Sequence, residues 1–415
     1  MTLIKTSFLS AIAVVIKMIT LLSLNKILAI YVGPSGYAAL GQFQSAIQMI
    51  TTLASGAINT GVTKYTAEYH EDEVRQHAIW RTASAMSLCG SLAMAIVLII
   101  FRKPLASWFL KNESLSSVFI WFAVTLVLFV FNTLLLAILN GKKEIHRYVI
   151  ANIAGSIFSL LVTTIMAIQL GLYGALLALA LYQSLSIFVT IFLCRNANWF
   201  KFGYLMGGVE RKAALDLAKF SAMALTSAAC VPLSQILIRN HLSETLGMAA
   251  AGYWEAMWRL SAAYLLLITT TLSVYYLPKL AELKNASSIR QEILQGYKII
   301  LPVSAILGLG IYICRDFIIQ ILFTGEFSGM EVLFGWQLVG DTLKVSSLLL
   351  GYVLTAKAIL SLYVISEILF SLIFVVLVYV FTSLIGLEGA SWAHALTYLL
   401  HLIFMYISLK IKNII

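Results

Sequence analysis

The sequence predicts an all-α integral membrane protein with twelve transmembrane helices, arranged as two pseudo-twofold-related six-helix lobes around a central cavity. Three observations lead to this fold class: the composition, a succession of long apolar segments and an internal repeat. Of the 415 residues, 61% are apolar and only 11% are charged, whereas an ordinary soluble domain carries roughly 25% charged residues. Together with the mean hydropathy of +0.94, this excludes a soluble enzyme or a nucleic-acid-binding protein despite the net charge of +10.

Twelve apolar segments are each long enough to cross a bilayer, which takes about 20 apolar residues. The first contains Lys17 and lacks a cleavage pattern, so we interpret it as a spanning helix and not as a signal peptide. The eighth is the least regular, because Glu255 and Arg259 interrupt it. The short connections leave no room for a soluble domain of ~100 residues. The predicted spans are 7–32, 41–63, 82–101, 116–139, 149–169, 173–194, 217–238, 250–277, 296–314, 332–356, 360–384 and 389–409.

The basic residues orient the chain in the membrane. An even number of spans places both termini on one side, and 19 of the 28 Lys and Arg residues fall on that side. Because cytoplasmic segments are enriched in Lys and Arg, we expect both termini to be cytoplasmic. We interpret the basic loops as topology signals and not as nucleic-acid sites. Four basic residues lie within spans, and five fall on the opposite side: Arg102, Lys103, Lys111, Arg239 and Arg315.

An internal repeat relates the two halves of the chain at an offset near 215 residues. The stretch Gly171–Ala175 recurs as Gly386–Ala390, and Tyr148–Ile153 recurs as Tyr363–Ile368. Each half contains six predicted spans, so the two halves have the same topology and a cleft is expected between them. The predicted domains are an N-terminal lobe at 1–195, a cytoplasmic linker at 196–216 and a C-terminal lobe at 217–415.

Ionisable residues within the spans are the first candidate functional residues. Each costs about 2.5–3.5 kcal/mol at a helix centre on insertion scales, so each should face protein or water. Lys17 lies near the middle of the first span, whereas Lys26 lies closer to its outer end and could snorkel. Glu255 and Arg259 are one turn apart on one helix face. They form either a pair that neutralises itself for insertion or a cavity-lining pair in which Glu255 holds Arg259 for an anion.

Four further ionisable positions are candidates for coupling transport to an ion gradient. Asp341 and Lys344, three residues apart, pose the same choice between mutual neutralisation and function. Asp341 is also a candidate for proton transfer. Glu367 has no basic residue one turn away, so it must be protonated or partnered by another helix. His394 and His401 share one helix face, and histidine titrates near neutral pH; packing is the alternative role for both.

Asn59 and Lys64 close the second span and are candidate substrate contacts, and Gly56 and Gly61 beside them let the backbone bend or approach a neighbour. The sequence contains neither an HExxH motif nor a cluster of Cys and His, so we predict no metal site and no cofactor. No two cysteines have CxxC spacing, which argues against a disulfide framework. The cysteines are Cys89, Cys194, Cys230 and Cys314.

Four stretches resemble the Wzx-type flippases of the multidrug/oligosaccharidyl-lipid/polysaccharide exporter superfamily. They are Lys26–Gly36, Gly61–His70, Ser273–Leu280 and Trp336–Val345. The stretch Trp336–Val345 is the most specific of the four, because it contains an intramembrane Asp and Lys. The resemblance looks closer to the flippases for the common-antigen lipid than to most O-antigen flippases. The resemblance extends over residues 5–408. It implies two six-helix lobes, an alternating-access cycle and a cationic central cavity.

Flippases of this family move undecaprenyl-diphosphate-linked repeat units of O-antigen or enterobacterial common antigen from the cytoplasmic to the periplasmic leaflet of the bacterial inner membrane. The resemblance implies this function here, with coupling to protons and with sodium as the alternative. The implied partners are the lipid-linked glycan, membrane lipids, a downstream polysaccharide polymerase and a chain-length regulator. We expect the protein to work as a monomer. The candidate substrate contacts are Lys17, Arg259, Lys344, Lys26, Asn59 and Lys64. The candidate coupling residues are Asp341, Glu367, Glu255, His394 and His401.

Two other functions compete with this interpretation. A multidrug or cation exporter of the same superfamily would favour a cavity of carboxylates and aromatic rings over one with Lys17, Arg259 and Lys344. A membrane glycan polymerase or glycosyltransferase would need large outer loops with catalytic motifs. The longest outer loops predicted here have only about 15 residues by span length, and no nucleophile–base pair is recognisable. We therefore predict a transporter and not an enzyme.

Overall fold

The computed structural model describes residues 3–283, 285–357 and 359–414, and all regular structure within these ranges is helical. Short 3₁₀ segments lie at Glu113–Ser116, Phe202–Leu205 and Gly325–Leu333, and one π-helical turn spans Leu272–Tyr276. The α-helices are α1 (Leu3–Ser55), α2 (Asn59–Glu68), α3 (Glu73–Ile100), α4 (Arg102–Leu110), α5 (Ser117–Gly141), α6 (Ile145–Cys194), α7 (Arg211–Thr245), α8 (Met248–Thr271), α9 (Leu277–Glu282), α10 (Ala286–Ile313), α11 (Arg315–Leu322), α12 (Phe334–Ala356), α13 (Leu360–Ile385) and α14 (Glu388–Ile411).

Each of the twelve predicted spans coincides with helical structure. In the described ranges, eight helices are long and apolar enough to cross a membrane. Two of these, α1 and α6, each contain two spans, because a glycine with a positive φ kinks the helix: Gly33 (φ 67°) and Gly171 (φ 56°). The other two predicted spans lie on α7 and α8, which brings the total to twelve.

Two details of the first two spans differ from the prediction. The segment 33–40, predicted as an outer loop, continues as helix after the kink, and Pro34 can begin this second half because a first-turn residue needs no backbone N–H. The second predicted span, 41–63, breaks at Gly56 and Ala57, which have φ of 66° and 55°. The break separates α1 from α2 and places Asn59 at the start of a new helix.

The sequence repeat is also a structural repeat. Gly171 and Gly386 correspond at the 215-residue offset, and both adopt a left-handed backbone, with φ of 56° and 70°. Three residues later, a Cβ on Gly174 would overlap the backbone of Met166, and a Cβ on Gly389 would overlap the backbone of Phe381. The contacted residues also correspond at the same offset. The repeated glycines are therefore required by the same tight turn in both halves.

The chain divides into two compact units: 1–32 with 39–232, and 33–38 with 233–415. We refer to them as the N-terminal and C-terminal units. In the N-terminal unit, a core around Ile58, Trp80 and Ile138 joins α2, α3 and α5. In the C-terminal unit, a core around Leu272 and Leu349 joins the π-helical turn to α12.

Candidate functional site

The N-terminal unit contains a polar cavity of about 220 Å³ between α1, α5 and α6. Lys17 from α1 supplies its one cation, and none of the lining residues that the structure describes is acidic. Thr190 Oγ1 donates to Asn132 Oδ1 at 2.7 Å across the wall formed by α5 and α6. The cavity is lined by Lys17, Thr20, Leu21, Leu24, Asn132, Leu136, Ala151, Asn152, Gly155, Ser156, Ser159, Tyr182, Gln183, Ser186 and Thr190.

A second polar cavity, of about 240 Å³, lies nearer the end of α5 that precedes Lys142. It contains Asn59, whose Nδ2 donates to Thr133 Oγ1 at 3.3 Å while its buried Oδ1 accepts no hydrogen bond from the described residues. The two cavities share Leu136 as a lining residue, so they are neighbours along α5.

The other two predicted substrate contacts of this unit lie apart from the cavities. Lys64 lies 3.5 Å from Glu68 in an ion pair whose side chains are about half exposed, at 49% and 48%. Its ammonium also lies 4.7 Å from the ring centre of Tyr65. Lys26 is half-buried on α1, nine residues after Lys17. Neither residue lines the cavity of Lys17.

In the C-terminal unit, Asp341 is the centre of a buried hydrogen-bond network. Its Oδ2 accepts from Ser261 Oγ at 2.6 Å and from the Tyr264 hydroxyl at 2.7 Å. Its Oδ1 lies 2.9 Å from His394 Nε2 and accepts more weakly from Gln337 Nε2 at 3.4 Å. The fully buried carboxylate is thus held by three helices, α8, α12 and α14.

This geometry gives Asp341 a closer ionisable partner than the expected Lys344, with which it also interacts electrostatically. The ammonium of Lys344 lies over two aromatic rings, 5.0 Å from the centre of Trp258 and 5.5 Å from that of Tyr398. The close ionisable partner of Asp341 is His394, which is 53 residues away in sequence. Spacing along one helix cannot reveal a partner on another helix, which is why the sequence favoured the neighbour three residues away.

The two remaining coupling candidates have local partners. His401 Nδ1 lies 2.8 Å from Ser347 Oγ, and the ring of Phe370 packs 4.7 Å from the histidine ring. Glu367 is partly buried on α13 and accepts a hydrogen bond from Tyr363 one turn earlier. His401 and Glu367 therefore lie outside the hydrogen-bond network of Asp341.

Glu255 binds two arginines. Its Oε1 accepts from Arg259 Nε at 2.7 Å, and its Oε2 accepts from Arg239 Nη1 at 2.6 Å. The guanidinium of Arg259 also lies 5.4 Å from the ring centre of Tyr37. The sequence analysis placed Arg239 in an outer loop, but α7 continues to Thr245 and Arg239 is buried. An error of a few residues at a helix end therefore concealed this member of the cluster.

Sequence reasoning also missed Trp258, Ser261 and Tyr264, which contact Lys344 or Asp341. They follow Glu255 at intervals of three residues along α8. Each interval turns about 60° around the helix, so consecutive members of the series are neighbours, although Glu255 and Tyr264 lie on opposite sides.

Comparisons with known proteins agree with this architecture. A family model described as "Polysaccharide biosynthesis protein" matches residues 27–332. A protein named Lipid III flippase from Escherichia coli (strain K12) is 31% identical over 402 residues, covering 97% of this chain and 96% of that protein. This chain belongs to the family of lipid-linked oligosaccharide flippases. As a member of that family it is a transporter, so the prediction of a transporter and not an enzyme is confirmed.

Solved structures share the fold at low sequence identity. The Lipid II flippase MurJ, in an inward closed conformation, superimposes with a TM-score of 0.77 and 14% identity over 99% of this chain and 89% of that chain. A multidrug resistance MATE family transporter in an inward-facing conformation gives a TM-score of 0.75 and 16% identity over 95% and 94%. The predicted all-α, twelve-span, two-lobe fold class of a multi-pass membrane protein is thereby confirmed.

Proposed function

We propose that this protein moves undecaprenyl-diphosphate-linked oligosaccharide repeat units, of the O-antigen or enterobacterial common antigen kind, from the cytoplasmic to the periplasmic leaflet of the bacterial inner membrane. The observation that carries the proposal is the 31% identity to a Lipid III flippase over nearly the whole chain. The protein works as a monomer with both termini in the cytoplasm, and it delivers its product to a polysaccharide polymerase and a chain-length regulator. Transport proceeds by alternating access and is driven by a proton gradient.

The charge around Lys17 supports an anionic substrate. A diphosphate must cross a region of low dielectric constant, where a cation in contact with it stabilises it more strongly than in bulk water. Lys17 is exposed and lines the cavity, so it offers such a cation without a lining carboxylate. Arg259 and Lys344 are weaker candidates, because Glu255 binds the first and two aromatic rings cover the second.

The network of Asp341 supports the coupling part of the proposal. The hydroxyls of Ser261 and Tyr264 reach one oxygen of the carboxylate, and His394 Nε2 lies beside the other. A proton on the carboxylate requires one hydroxyl to change from donor to acceptor or the imidazole to present an unprotonated nitrogen, so proton binding alters the contacts among α8, α12 and α14. A proton that favours a different packing of these helices shifts the population of conformations, which is how a gradient can drive a transport cycle.

A deletion strain tests the proposed function. We expect the strain to lose one surface polysaccharide and to accumulate the corresponding lipid-linked repeat unit, and expression of the protein from a plasmid should reverse both changes. A strain with normal surface polysaccharide but increased sensitivity to cationic drugs would overturn the proposal in favour of a drug exporter.

A further inference from the structure

The cavity beside Lys17 is lined by hydrogen-bonding groups that the protein does not use. Within the part of the chain that the structure describes, the Gln183 amide and the hydroxyls of Tyr182 and Ser159 line the cavity without a side-chain hydrogen bond. Asn132 uses only its Oδ1, which accepts from Thr190. Ser159 is buried and Tyr182 and Gln183 are half-buried, and polar groups that are withdrawn from water are ordinarily paired. The cavity is therefore suited to a ligand that can both donate and accept hydrogen bonds.

The second repeat provides an internal comparison, because it fills the equivalent space with rings. At the 215-residue offset, Gly155 corresponds to Phe370 and Ser159 corresponds to Phe374. In the C-terminal unit these phenylalanines pack against histidines, with ring centres 4.7 Å from His401 and 5.9 Å from His394. The same helical scaffold can thus be closed by aromatic side chains. The open cavity results from small residues at particular positions of the first repeat.

The chemistry of the lining indicates which part of a lipid-linked substrate fits. A prenyl chain would leave the amides and hydroxyls without partners, and a second anion would find no further cation among the described lining residues. A sugar ring carries hydroxyls that donate and accept, as these side chains do. The volume of about 220 Å³ is many times the roughly 10–15 Å³ that one water molecule needs by the same measure, which leaves room for one monosaccharide.

We propose that this cavity is a subsite for the sugar next to the diphosphate, with Lys17 contacting the phosphate and Asn132, Tyr182 and Gln183 contacting the sugar. This inference rests on the proposed function and adds the part of the substrate that the N-terminal unit recognises. The lipid is thereby bound at two adjacent points, one charged and one neutral.

Equilibrium binding to the purified full-length protein in nanodiscs tests the subsite with two probes. One is undecaprenyl diphosphate, and the other is undecaprenyl diphosphate that carries a single N-acetylglucosamine. Two or three net hydrogen bonds together correspond to at least about a fivefold change in affinity. We therefore expect the sugar-bearing probe to bind at least about fivefold more tightly to the unaltered protein.

Two variants introduce into the first repeat the phenylalanine that the second repeat has at the equivalent positions. Gly155→Phe and Ser159→Phe should remove the preference for the sugar-bearing probe, because they should weaken its binding more than that of undecaprenyl diphosphate. Lys17→Ala should weaken both probes. Ile157→Phe is the matched control, because Ile157 lies on the same helix, is exposed and does not line the cavity. Gln183→Leu removes an amide with little change in volume. It should also reduce the preference for the sugar-bearing probe, so it tests the subsite if a phenylalanine variant fails to fold.

The outcomes separate the subsite from the function it rests on. If both probes bind the unaltered protein with equal affinity, the cavity holds only water and the subsite is refuted while the flippase function stands. If the cavity-filling variants weaken both probes alike, the sugar is not recognised here and the inference is also wrong. If neither probe binds the unaltered protein, the proposed function itself fails.

Discussion

Replacement of Glu255 by alanine should destabilise the protein more than the loss of any single hydrogen bond. The Glu255 side chain is 5% exposed and binds Arg239, which is 2% exposed, and Arg259, which is 17% exposed. Glu255→Ala leaves the Arg239 guanidinium buried without this carboxylate. Removing one partner of a buried ion pair costs about 3–5 kcal/mol. With a shift of about 2–4 °C per kcal/mol for a unit of 150–250 residues, the melting temperature should fall by about 6–20 °C.

The assay is the fraction of purified protein that remains monodisperse on size exclusion after heating. Glu68→Ala is the control, because it breaks a half-exposed pair with Lys64, and such pairs contribute about 0–1 kcal/mol. Arg259→Ala should have an intermediate effect, since it leaves the Arg239–Glu255 pair intact. The reasoning is refuted if Glu255→Ala melts no lower than Glu68→Ala. If Arg259→Ala costs as much as Glu255→Ala, the shared carboxylate is not the cause.

Three further predictions concern transport and folding. Lys17→Ala should abolish polysaccharide export in the complemented deletion strain at a normal protein level, while Lys17→Arg should retain part of it; full export by Lys17→Ala would contradict a role in binding the diphosphate. Asp341→Asn should uncouple transport from an imposed pH gradient in proteoliposomes, and the site is wrongly assigned if Asp341→Asn and Glu367→Gln each keep the gradient dependence. Gly389→Ala should lower the yield of folded protein because its Cβ would overlap the Phe381 backbone, whereas Gly351→Ala, where a Cβ meets nothing within 4 Å, should not; equal yields measured by fluorescence-detected size exclusion would contradict the turn argument.

The spans were predictable because their signal is local. A run of about 20 apolar residues identifies a spanning helix without knowledge of its neighbours, and repeated glycines such as Gly171 and Gly386 identify a repeated turn. The helical continuation after Gly33 was harder to predict, since the stretch Gly33–Gly36, Gly-Pro-Ser-Gly, also fits a loop. This continuation depends on the packing of side chains such as Tyr37, which is fully buried.

The site was only partly predictable because its partners come from different helices. Asp341 and His394 were each recognisable as ionisable residues in a span, but their contact joins α12 to α14. The contact of Arg239 with Glu255 joins α7 to α8 in the same way. The residues that line the polar cavity of the N-terminal unit give a weaker signal in the sequence. Asn132 and Gln183 carry no formal charge, so a search for charges within spans passes over them.

The most direct test of the proposed function is the movement of the lipid between leaflets. Proteoliposomes would be prepared with undecaprenyl diphosphate oligosaccharide in both leaflets, and a membrane-impermeant glycosidase would be added outside. With the unaltered protein and a pH gradient, we predict that the enzyme digests nearly all of the glycan, and that with Lys17→Ala it digests only about the half initially outside. Digestion that stops at about half with the unaltered protein would contradict the proposal that this chain is a flippase for lipid-linked glycans.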